Sequence, residues 1–429
     1  MKKTFSIKHY SAIFGAFFLV LILNGCDWFS PDDDVKAKTA NEYIYEQFKD
    51  WYLWYDQIPD IDPNGIETQE ALIDSIKVPV DRWSFSGSLT EVNKLFLSGE
   101  YKGFGAGFMF DAKGEIKISH AYKQSPLGRS GVDRGWKVVS INGFTSANVD
   151  SLNAALTSDG VVNFVFLDLN NVEHSFSLQR EAFAMNTVLY SNVYSVGDKK
   201  IGYFVFDGFY NSSVAELQSV VEYFKKEKIS DLIVDFRYNG GGLNDVAYKL
   251  FAMIGGDIVK NKTIIEMKHN DKHSSKNQVY VSDYDSTVLN VSEVCFITTN
   301  NTASASELII NGLEPYMNVK LVGGQTHGKP VGMYIFSVKA LDLAILPISF
   351  INTNSLGYGE YYNGLSVDIA EVDDLSHAWG DPNELMLKAA ILAIEEPELA
   401  FHQSQLKSCS VELQKPFEYK GIYKLIQAY

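Results

Sequence analysis

The sequence predicts a multidomain α+β protein with a helical N-terminal region, a β-rich module and an α/β core. The length of 429 residues corresponds to about three domains at roughly 150 residues each. Aromatic residues with helical spacing begin near Ala40, and short strands with glycine turns occupy residues 100–182. From about residue 199 onward, strands alternate with helices, which is the pattern of an α/β sheet.

The charge balance excludes one class of partner. The chain carries 37 basic and 53 acidic residues, for a formal net charge of −16, and has no long run of Lys or Arg. Because nucleic-acid binding requires clustered positive charge, nucleic acid is not an expected partner. Apolar residues make up 46% of the chain and charged residues 21%, a composition that favours a folded protein over a disordered acidic chain.

Residues 1–25 have the pattern of an export signal. Three lysines precede an apolar run over residues 12–23, which is too short to span a membrane as a helix. The segment Leu23-Asn24-Gly25-Cys26 resembles the lipobox of bacterial lipoproteins, which implies acylation of Cys26. We therefore expect a protein anchored by lipid in the bacterial cell envelope, with residues 26–39 as a polar tether. The alternative is an ordinary buried helix that ends in a cysteine.

Two further cysteines are present. Cys295 lies in an apolar run and is predicted to be a small buried side chain, whereas Cys409 lies in a polar C-terminal tail over residues 401–429. Two distant cysteines can form one disulfide but not a scaffold, so the chain must fold on its hydrophobic core.

The predicted N-terminal helical domain covers residues 40–98. Its first helix is expected to end near Ile58, and a second helix is expected over residues 68–76. The first helix carries a stripe of aromatic residues: Tyr43, Tyr45, Phe48, Trp51, Tyr52, Trp54 and Tyr55. We interpret this stripe as a surface that packs against a neighbouring domain rather than as a ligand cage.

The β-rich module is predicted over residues 99–182. A glycine loop enters its first strand with the residues Gly103, Phe104, Gly105, Ala106, Gly107 and Phe108. No Gly-Lys-Ser/Thr follows, which argues against a phosphate-binding loop. Together with the segments Ser125–Gly131 and Val138–Gly143, the loop resembles a PDZ domain. That resemblance implies that amides of the loop hold the terminal carboxylate of a peptide, and that the following strand pairs with it.

The α/β core is predicted over residues 183–400. Its expected strands cover residues 201–206, 231–236, 294–297 and 319–323, and its expected helices cover residues 213–227, 243–254, 307–313 and 383–394. Ser213 and Glu216 have the spacing of a capping box at the start of the first of these helices. This alternation predicts a mostly parallel sheet with helices on its faces.

Three turns of the core follow predicted strands and so share one edge of the sheet, where ligands of α/β proteins bind. They are Asn239–Gly242, Thr302–Glu307 and Gly323–Gly332. Each has a plain structural interpretation, since serines cap helices and lysines lie on surfaces. Together they supply the parts of a Ser–Lys hydrolase: a serine at a helix N-terminus, and a lysine whose pKa burial can lower from about 10.4 toward 7.

The three segments in this order resemble the C-terminal processing (tail-specific) serine peptidases. The resemblance covers about residues 40–395 and is carried by Asp235–Gly242, Thr302–Glu307 and Gly323–Lys329. It implies an N-terminal helical region, a PDZ-like domain and an α/β protease core of the ClpP/crotonase-like type. It implies no metal and no organic cofactor.

The resemblance also assigns roles to individual residues. Ser304 matches the nucleophile, and Lys329, 25 residues later, matches the general base. The oxyanion donors would be the backbone amides of Ala305 and of Gly240 or Gly241.

Two positions depart from the pattern of the family. Met333 replaces a Gln that often follows the lysine by four residues, and Pro330 replaces a Gly. Because Met cannot strongly hydrogen-bond an amine, either another group orients Lys329 or activity is reduced. His327 is one candidate for that group, although a loop histidine can be incidental.

The function predicted from the sequence is that of a serine endopeptidase that cleaves exported polypeptides near unfolded or hydrophobic C-termini. One alternative is a catalytically weak or inactive relative that acts as a peptide-binding or scaffold protein, for which Met333 is the main argument. Another is a hydrolase of small esters or amides. The sequence contains neither His-Glu-x-x-His nor Gly-x-Ser-x-Gly, so zinc hydrolase and α/β-hydrolase chemistry are not expected.

Overall fold

The computed structural model describes residues 38–283 and 287–400. The predicted signal segment over residues 1–25, the lipid acceptor Cys26 and the tail with Cys409 therefore lie outside the described residues. Within the described ranges, no helix is long and apolar enough to cross a membrane.

Helices and strands follow one another along the described chain. The α-helices are α1 Ala40–Trp51, α2 Gln69–Ile76, α3 Leu89–Asn93, α4 Pro126–Arg129, α5 Val149–Thr157, α6 Ser213–Glu227, α7 Asn244–Gly255, α8 Ala305–Leu313 and α9 Leu385–Glu395. The strands of the first half are β1 Phe85–Ser88, β2 Glu100–Gly103, β3 Ala106–Phe110, β4 Ile116–Ala121, β5 Lys137–Ile141, β6 Val162–Leu167, β7 Glu173–Leu178, β8 Glu181–Ala184, β9 Val188–Val196 and β10 Lys199–Phe206. The strands of the second half are β11 Asp231–Asp235, β12 Thr263–His269, β13 Gln278–Val281, β14 Glu293–Thr298, β15 Asn318–Gly323, β16 Val331–Met333, β17 Phe336–Val338, β18 Leu343–Leu346, β19 Ile348–Thr353 and β20 Ile369–Ala370.

A six-stranded sheet forms the centre of the α/β part. Its strand order is β20-β15-β14-β11-β10-β9, and all neighbours are parallel except β9 and β10. Successive residues of β11 face opposite sides: Val234 packs with α6, α7 and α8, whereas Ile233 packs with α9. Helices thus cover both faces, as the sequence predicted, and the buried Cys295 of β14 lies within this core.

The β-rich module forms an antiparallel sheet of its own. Its strand order is β3-β4-β5-β6-β7, so that β3 is an edge strand. Phe104, Phe108, Phe164 and Phe166 are buried in its core, together with Leu152 of α5. Its identification as a PDZ-like domain stays a prediction.

The N-terminal helical region packs on a second part of the α/β core. Strand β1 pairs antiparallel with β18, with Phe85 opposite Leu346. Phe48 of α1 and Trp83 belong to one buried cluster with Ile345 and other apolar residues of the β16–β19 region. This region is therefore held against the chain that leads out of the lysine turn.

Two local predictions were wrong. Helix α1 ends at Trp51 rather than near Ile58, because the next residue turns extended and a separate short turn follows. The predicted capping box of α6 does not form, since Ser213 lies inside the helix and donates its hydroxyl to Gly208 O at 2.9 Å. Glu216 instead accepts the amide of Val188 at 2.9 Å, which ties the helix to β9.

Candidate active site

The three turns singled out in the sequence meet at one edge of the central sheet. They follow β11, β14 and β15, which are adjacent and parallel, so their carboxyl ends lie side by side. The Thr302 hydroxyl donates to Phe236 O at 2.8 Å, and the His327 amide donates to Thr302 O at 2.9 Å. Direct hydrogen bonds therefore fix the turns to one another.

Ser304 immediately precedes α8 and has a strained backbone. Its φ is +57° and its ψ is −113°, a combination that favours glycine. Such strain in a non-glycine residue persists only where the surroundings impose it, and it is concentrated at functional sites. The side chain is partly exposed and lies at the N-terminal end of α8, where unpaired amides and the helix dipole stabilise negative charge.

Ser306, the other serine of the same motif, is differently placed. It is fully buried, and its hydroxyl donates to Asn239 O at 3.0 Å. This bond fixes α8 to the glycine turn, which gives Ser306 a structural position.

The glycine turn passes directly beside Ser304. Gly241 has a φ of +102°, and a Cβ at this position would lie 2.8 Å from Ser304 Cβ and 3.0 Å from Ala305 N. The Gly241 amide donates to Asn239 Oδ1 at 2.9 Å, so the prediction of Gly241 as an oxyanion donor does not fit the geometry. The amides of Gly240 and Ala305 make no hydrogen bond to any described residue, and both remain candidates.

Glu307 connects the serine to the lysine turn. Its buried carboxylate accepts four hydrogen bonds: from Ser304 N at 2.9 Å, Thr326 Oγ1 at 2.6 Å, Gly328 N at 2.6 Å and Lys329 N at 2.8 Å. Burial raises the pKa of Glu307, and the donors oppose that effect. No separate role was predicted for Glu307, although the Ser-x-x-Glu spacing at a helix start was the available signal.

Lys329 is almost completely buried, with 8% of its surface exposed. Burial lowers the pKa of Lys329 from 10.5 to about 8, and the negative charges of Asp81 and Glu307 oppose this shift. A lysine with such a pKa is neutral in a substantial fraction of molecules at mildly alkaline pH, and a neutral amine can accept a proton.

His327 is held by the N-terminal region. Its Nε2 lies 3.1 Å from Nε1 of Trp83, and the Trp83 indole can only donate. Nε2 is therefore the acceptor, and the proton of the neutral ring is on Nδ1. Burial lowers the pKa of His327 to about 4, so the ring is uncharged at neutral pH. With Nε2 engaged by Trp83, this nitrogen is not directed at Lys329.

Met333 ends β16 and packs with apolar side chains of the N-terminal region and of the β16–β19 region.

The glycine loop of the β-rich module is built around Phe104 and Phe108, whose side chains are buried in that module. Its Gly105 carbonyl accepts the amide of Tyr122 at 2.9 Å. The described residues contain no cluster of His, Cys, Asp or Glu that could hold a metal ion.

Asp81 was not predicted as a site residue. Asp81 is buried, and its Oδ1 accepts the amides of Trp83 and Ser84, both at 2.9 Å. The next residue, Arg82, donates to His327 O at 3.3 Å. The available signal was an acidic residue four positions before β1, which does not reveal that the segment lies beside a turn about 245 residues further along the chain.

Two family models match the chain in order. The model of the peptidase S41 N-terminal domain matches residues 39–85, and that of peptidase family S41 matches residues 200–370, which include Ser304 and Lys329.

Curated relatives agree. A CtpA-like serine protease of Staphylococcus saprophyticus is 27% identical over 298 residues, which are 68% of this chain and 56% of that protein. The carboxy-terminal processing protease CtpA of Bacillus subtilis is 26% identical over 300 residues, which are 69% of this chain and 60% of that protein. The chain therefore spans less than two thirds of the length of these relatives.

Solved structures show the same fold. The structure of an S41 protease from Bacteroides fragilis covers 84% of this chain and 99% of its own, with a TM-score of 0.71 and 21% identity. The photosystem II D1 C-terminal processing protease covers 82% of this chain and 98% of its own, with a TM-score of 0.50 and 16% identity. The chain therefore carries two peptidase S41 domains, an N-terminal one over residues 39–85 and a peptidase one over residues 200–370.

Proposed function

We propose that the chain is a serine endopeptidase with a Ser304–Lys329 dyad. The observation that carries the proposal is the joint placement of these residues by Glu307. One carboxylate oxygen accepts the backbone amides of both Ser304 and Lys329, so the strained serine and the buried lysine share a single rigid support. Preorganisation of this kind is what nucleophilic catalysis requires.

The reaction proceeds in two balanced stages. Neutral Lys329 takes the hydroxyl proton as Ser304 Oγ bonds to the peptide carbonyl carbon, and the ammonium then returns the proton to the leaving amine as the C–N bond breaks. Water attacks the acyl-enzyme in the same way, with Lys329 again accepting and returning a proton. The amides of Ala305 and Gly240 stabilise the oxyanion in both stages.

The β-rich module would act as a PDZ-like binding domain. Its strand β3 is at the edge of the sheet, which is the position that a peptide strand needs in order to pair. The module would capture an unfolded or hydrophobic C-terminus and deliver the polypeptide to Ser304.

We also propose that the protein is exported and anchored by lipid on Cys26, in the cell envelope.

Cleavage of an unfolded protein by the purified chain tests the dyad. We expect Ser304→Ala and Lys329→Ala to abolish cleavage, because each removes one half of the proton transfer. Ser306→Ala is the matched control: it removes a hydroxyl from the same motif and should retain cleavage with some loss of stability.

The contrary outcome supports the second candidate function, a non-catalytic peptide-binding protein. Met333 favours that candidate, since it replaces the amide expected to orient the lysine. If the unmodified chain is inert between pH 6 and 10 and Ser304 does not react with a fluorophosphonate probe, the peptidase proposal fails. Turnover of small esters without polypeptide cleavage would instead indicate a small-molecule hydrolase.

A further inference from the structure

The site contains a lysine whose charged state needs a partner. When Lys329 accepts the Ser304 proton, it becomes an ammonium in a nearly closed environment, and a buried cation without a counter-charge is costly. Met333, at the position expected to carry an amide, packs among apolar side chains instead. Within the described residues, the structure gives no hydrogen bond or ion pair to the Lys329 amine.

Of the two carboxylates that act on Lys329, that of Glu307 is already saturated. Both of its oxygens accept two hydrogen bonds each, from donors that include the Lys329 backbone amide. Its hydrogen-bonding capacity is thus largely used to hold the turns together. The remaining carboxylate is that of Asp81.

Asp81 has one fixed and one unused oxygen. Oδ1 accepts the amides of Trp83 and Ser84, whereas Oδ2 is buried and makes no hydrogen bond within the described part of the chain. A buried carboxylate oxygen in that state is costly, and in a native protein it calls for an explanation. The neutral hydroxyl of Tyr52, which accepts the Val78 amide at 3.0 Å, also faces Asp81, and the negative charge of Asp81 adds to burial in raising the pKa of Tyr52.

The segment that carries Asp81 is fixed to the lysine turn. Trp83 donates its indole proton to His327 at 3.1 Å, and Arg82 donates to the His327 carbonyl at 3.3 Å. Ser84 accepts the amide of Ile348 at 2.9 Å. The carboxylate is thus held in place relative to Lys329, two residues beyond His327.

We propose that Asp81 is the positioning residue of Lys329, and that its free oxygen stabilises the ammonium that forms when Ser304 loses its proton. It would take over the role of the amide that the family often carries four residues after the lysine. This inference rests on the proposed peptidase function. The charged groups facing Lys329 are Asp81 and Glu307, and Arg82 and Lys329 both help to keep the nearby His327 neutral.

The test is the pH dependence of kcat for Asp81→Asn. This variant keeps an oxygen for the two amides but removes the charge. We expect the plateau of kcat to fall by about tenfold at unchanged KM, because the ammonium loses its counter-charge. Because the carboxylate raises the pKa of Lys329, its removal should move the acidic limb of the profile to lower pH.

The matched control is Asp231→Asn. Asp231 is equally buried but begins β11 at the opposite end of the sheet, where it accepts the hydroxyls of Ser230 and Ser292. The acidic limb of the kcat profile of Asp231→Asn should coincide with that of the unmodified chain. If Asp81→Asn leaves the limb in place, or loses activity only as far as Asp231→Asn does, Asp81 is merely structural and the inference is wrong.

A second variant does not depend on the folding of the first. Met333→Gln restores the amide of the family; with Asp81 already serving Lys329, we expect kcat to change by less than about twofold. A gain of tenfold or more would show that Lys329 had no partner, and would overturn the inference. An active unmodified chain with an unmoved limb refutes only the role of Asp81, whereas an inert chain with an unreactive Ser304 refutes the peptidase proposal itself.

Discussion

Lys329 must be neutral to accept a proton, and burial brings its deprotonation close to neutral pH. Since its pKa is lowered from 10.5 to about 8, the neutral fraction rises through that region as pH increases. We expect kcat/KM for peptide cleavage to rise between about pH 7 and 9 and to be half-maximal near about pH 8. A rate profile from pH 6 to 11 measures this, and a limb centred near 10.5 would show that the lysine is not desolvated.

The same lysine should reduce the stability of the fold. Its pKa is lower in the folded chain than in the unfolded one, so between pH 8 and 10.5 the unfolded state binds more protons and stability rises with pH. At pH 7 the penalty is fully present. We therefore expect Lys329→Met to abolish cleavage while raising the free energy of unfolding at pH 7 by about 2 kcal/mol.

Urea unfolding at pH 7 and pH 10 separates this effect from simple repacking. The increase in the free energy of unfolding caused by Lys329→Met should shrink at pH 10, where the lysine of the unmodified chain is largely neutral in the folded state and only partly charged in the unfolded one. An equal gain at both pH values would mean that shape, and not charge, decides the stability at this position.

The placement of Ser304 and Lys329, the proposed dyad, at one edge of the sheet could be predicted from sequence because it depends on local features. Ser304 lies directly before a helix and Lys329 follows a strand, so strand and helix periodicity alone places both at one edge of the sheet. Asp81 could not be found in this way, because its place beside the lysine depends on how β1 pairs with β18. That pairing joins segments about 260 residues apart, and no local pattern encodes it.

At the scale of elements, the proposed oxyanion site depends on the close approach of the glycine turn to α8. A Cβ on Gly241 would lie 2.8 Å from Ser304 Cβ and 2.9 Å from Ala303 O, and its φ of +102° disfavours any other residue. We expect Gly241→Ala to displace the turn and to lower kcat by about a hundredfold, comparable to the loss of an oxyanion donor.

Gly357→Ala controls for backbone strain alone. Gly357 also has a positive φ, of +82°, but a Cβ there would meet no atom within 4 Å. This variant should lose about 1 kcal/mol of stability and keep its kcat. Equal losses of kcat in the two variants would refute the steric argument.

Errors at this scale came from side chains that bond outside their own element. Periodicity predicted α6 with its correct bounds, yet Ser213 and Glu216 anchor the preceding loop and β9 instead of capping the helix. Similarly, the Gly241 amide was predicted to be available as an oxyanion donor, whereas it donates its hydrogen bond to the side-chain oxygen of Asn239. Each case depends on a tertiary contact that competes with the local pattern.

At the scale of the whole molecule, a buried ionic cluster joins the β-rich module to the α/β core. Arg134 of the module donates to Tyr238 OH at 2.7 Å and to Asp373 at 2.5 Å, and Arg237 of the core donates to Asp373 at 2.7 Å. Trp379 covers both guanidinium groups, at 4.2 Å and 5.1 Å from the ring centroid. Tyr238 directly precedes the glycine turn, so this junction also supports the candidate active site.

Removal of Arg134 should therefore destabilise the fold more than removal of an arginine from an exposed ion pair. Burial favours the neutral form of Asp373, but the two arginines outweigh it and hold the pKa of Asp373 at about 2. Because this pKa is depressed, its contribution to stability is present above the unfolded pKa of about 3.8 and is lost as pH falls toward 2. Without Arg134, the pKa of Asp373 should rise, and acid unfolding should begin at higher pH.

We expect Arg134→Met to lower the free energy of unfolding at pH 7 by about 3–5 kcal/mol, since it leaves a buried carboxylate with less counter-charge. The matched control is Arg129→Met, which removes an arginine of the same module from an exposed pair with Glu181 and should cost less than about 1 kcal/mol. Urea unfolding of both variants at pH 7 and pH 5 measures the difference, which should narrow at pH 5, because protonation of Asp373 in Arg134→Met relieves its buried charge. If the two variants unfold alike, the module is held to the core by its apolar contacts, and the ionic cluster adds no net stability to the junction.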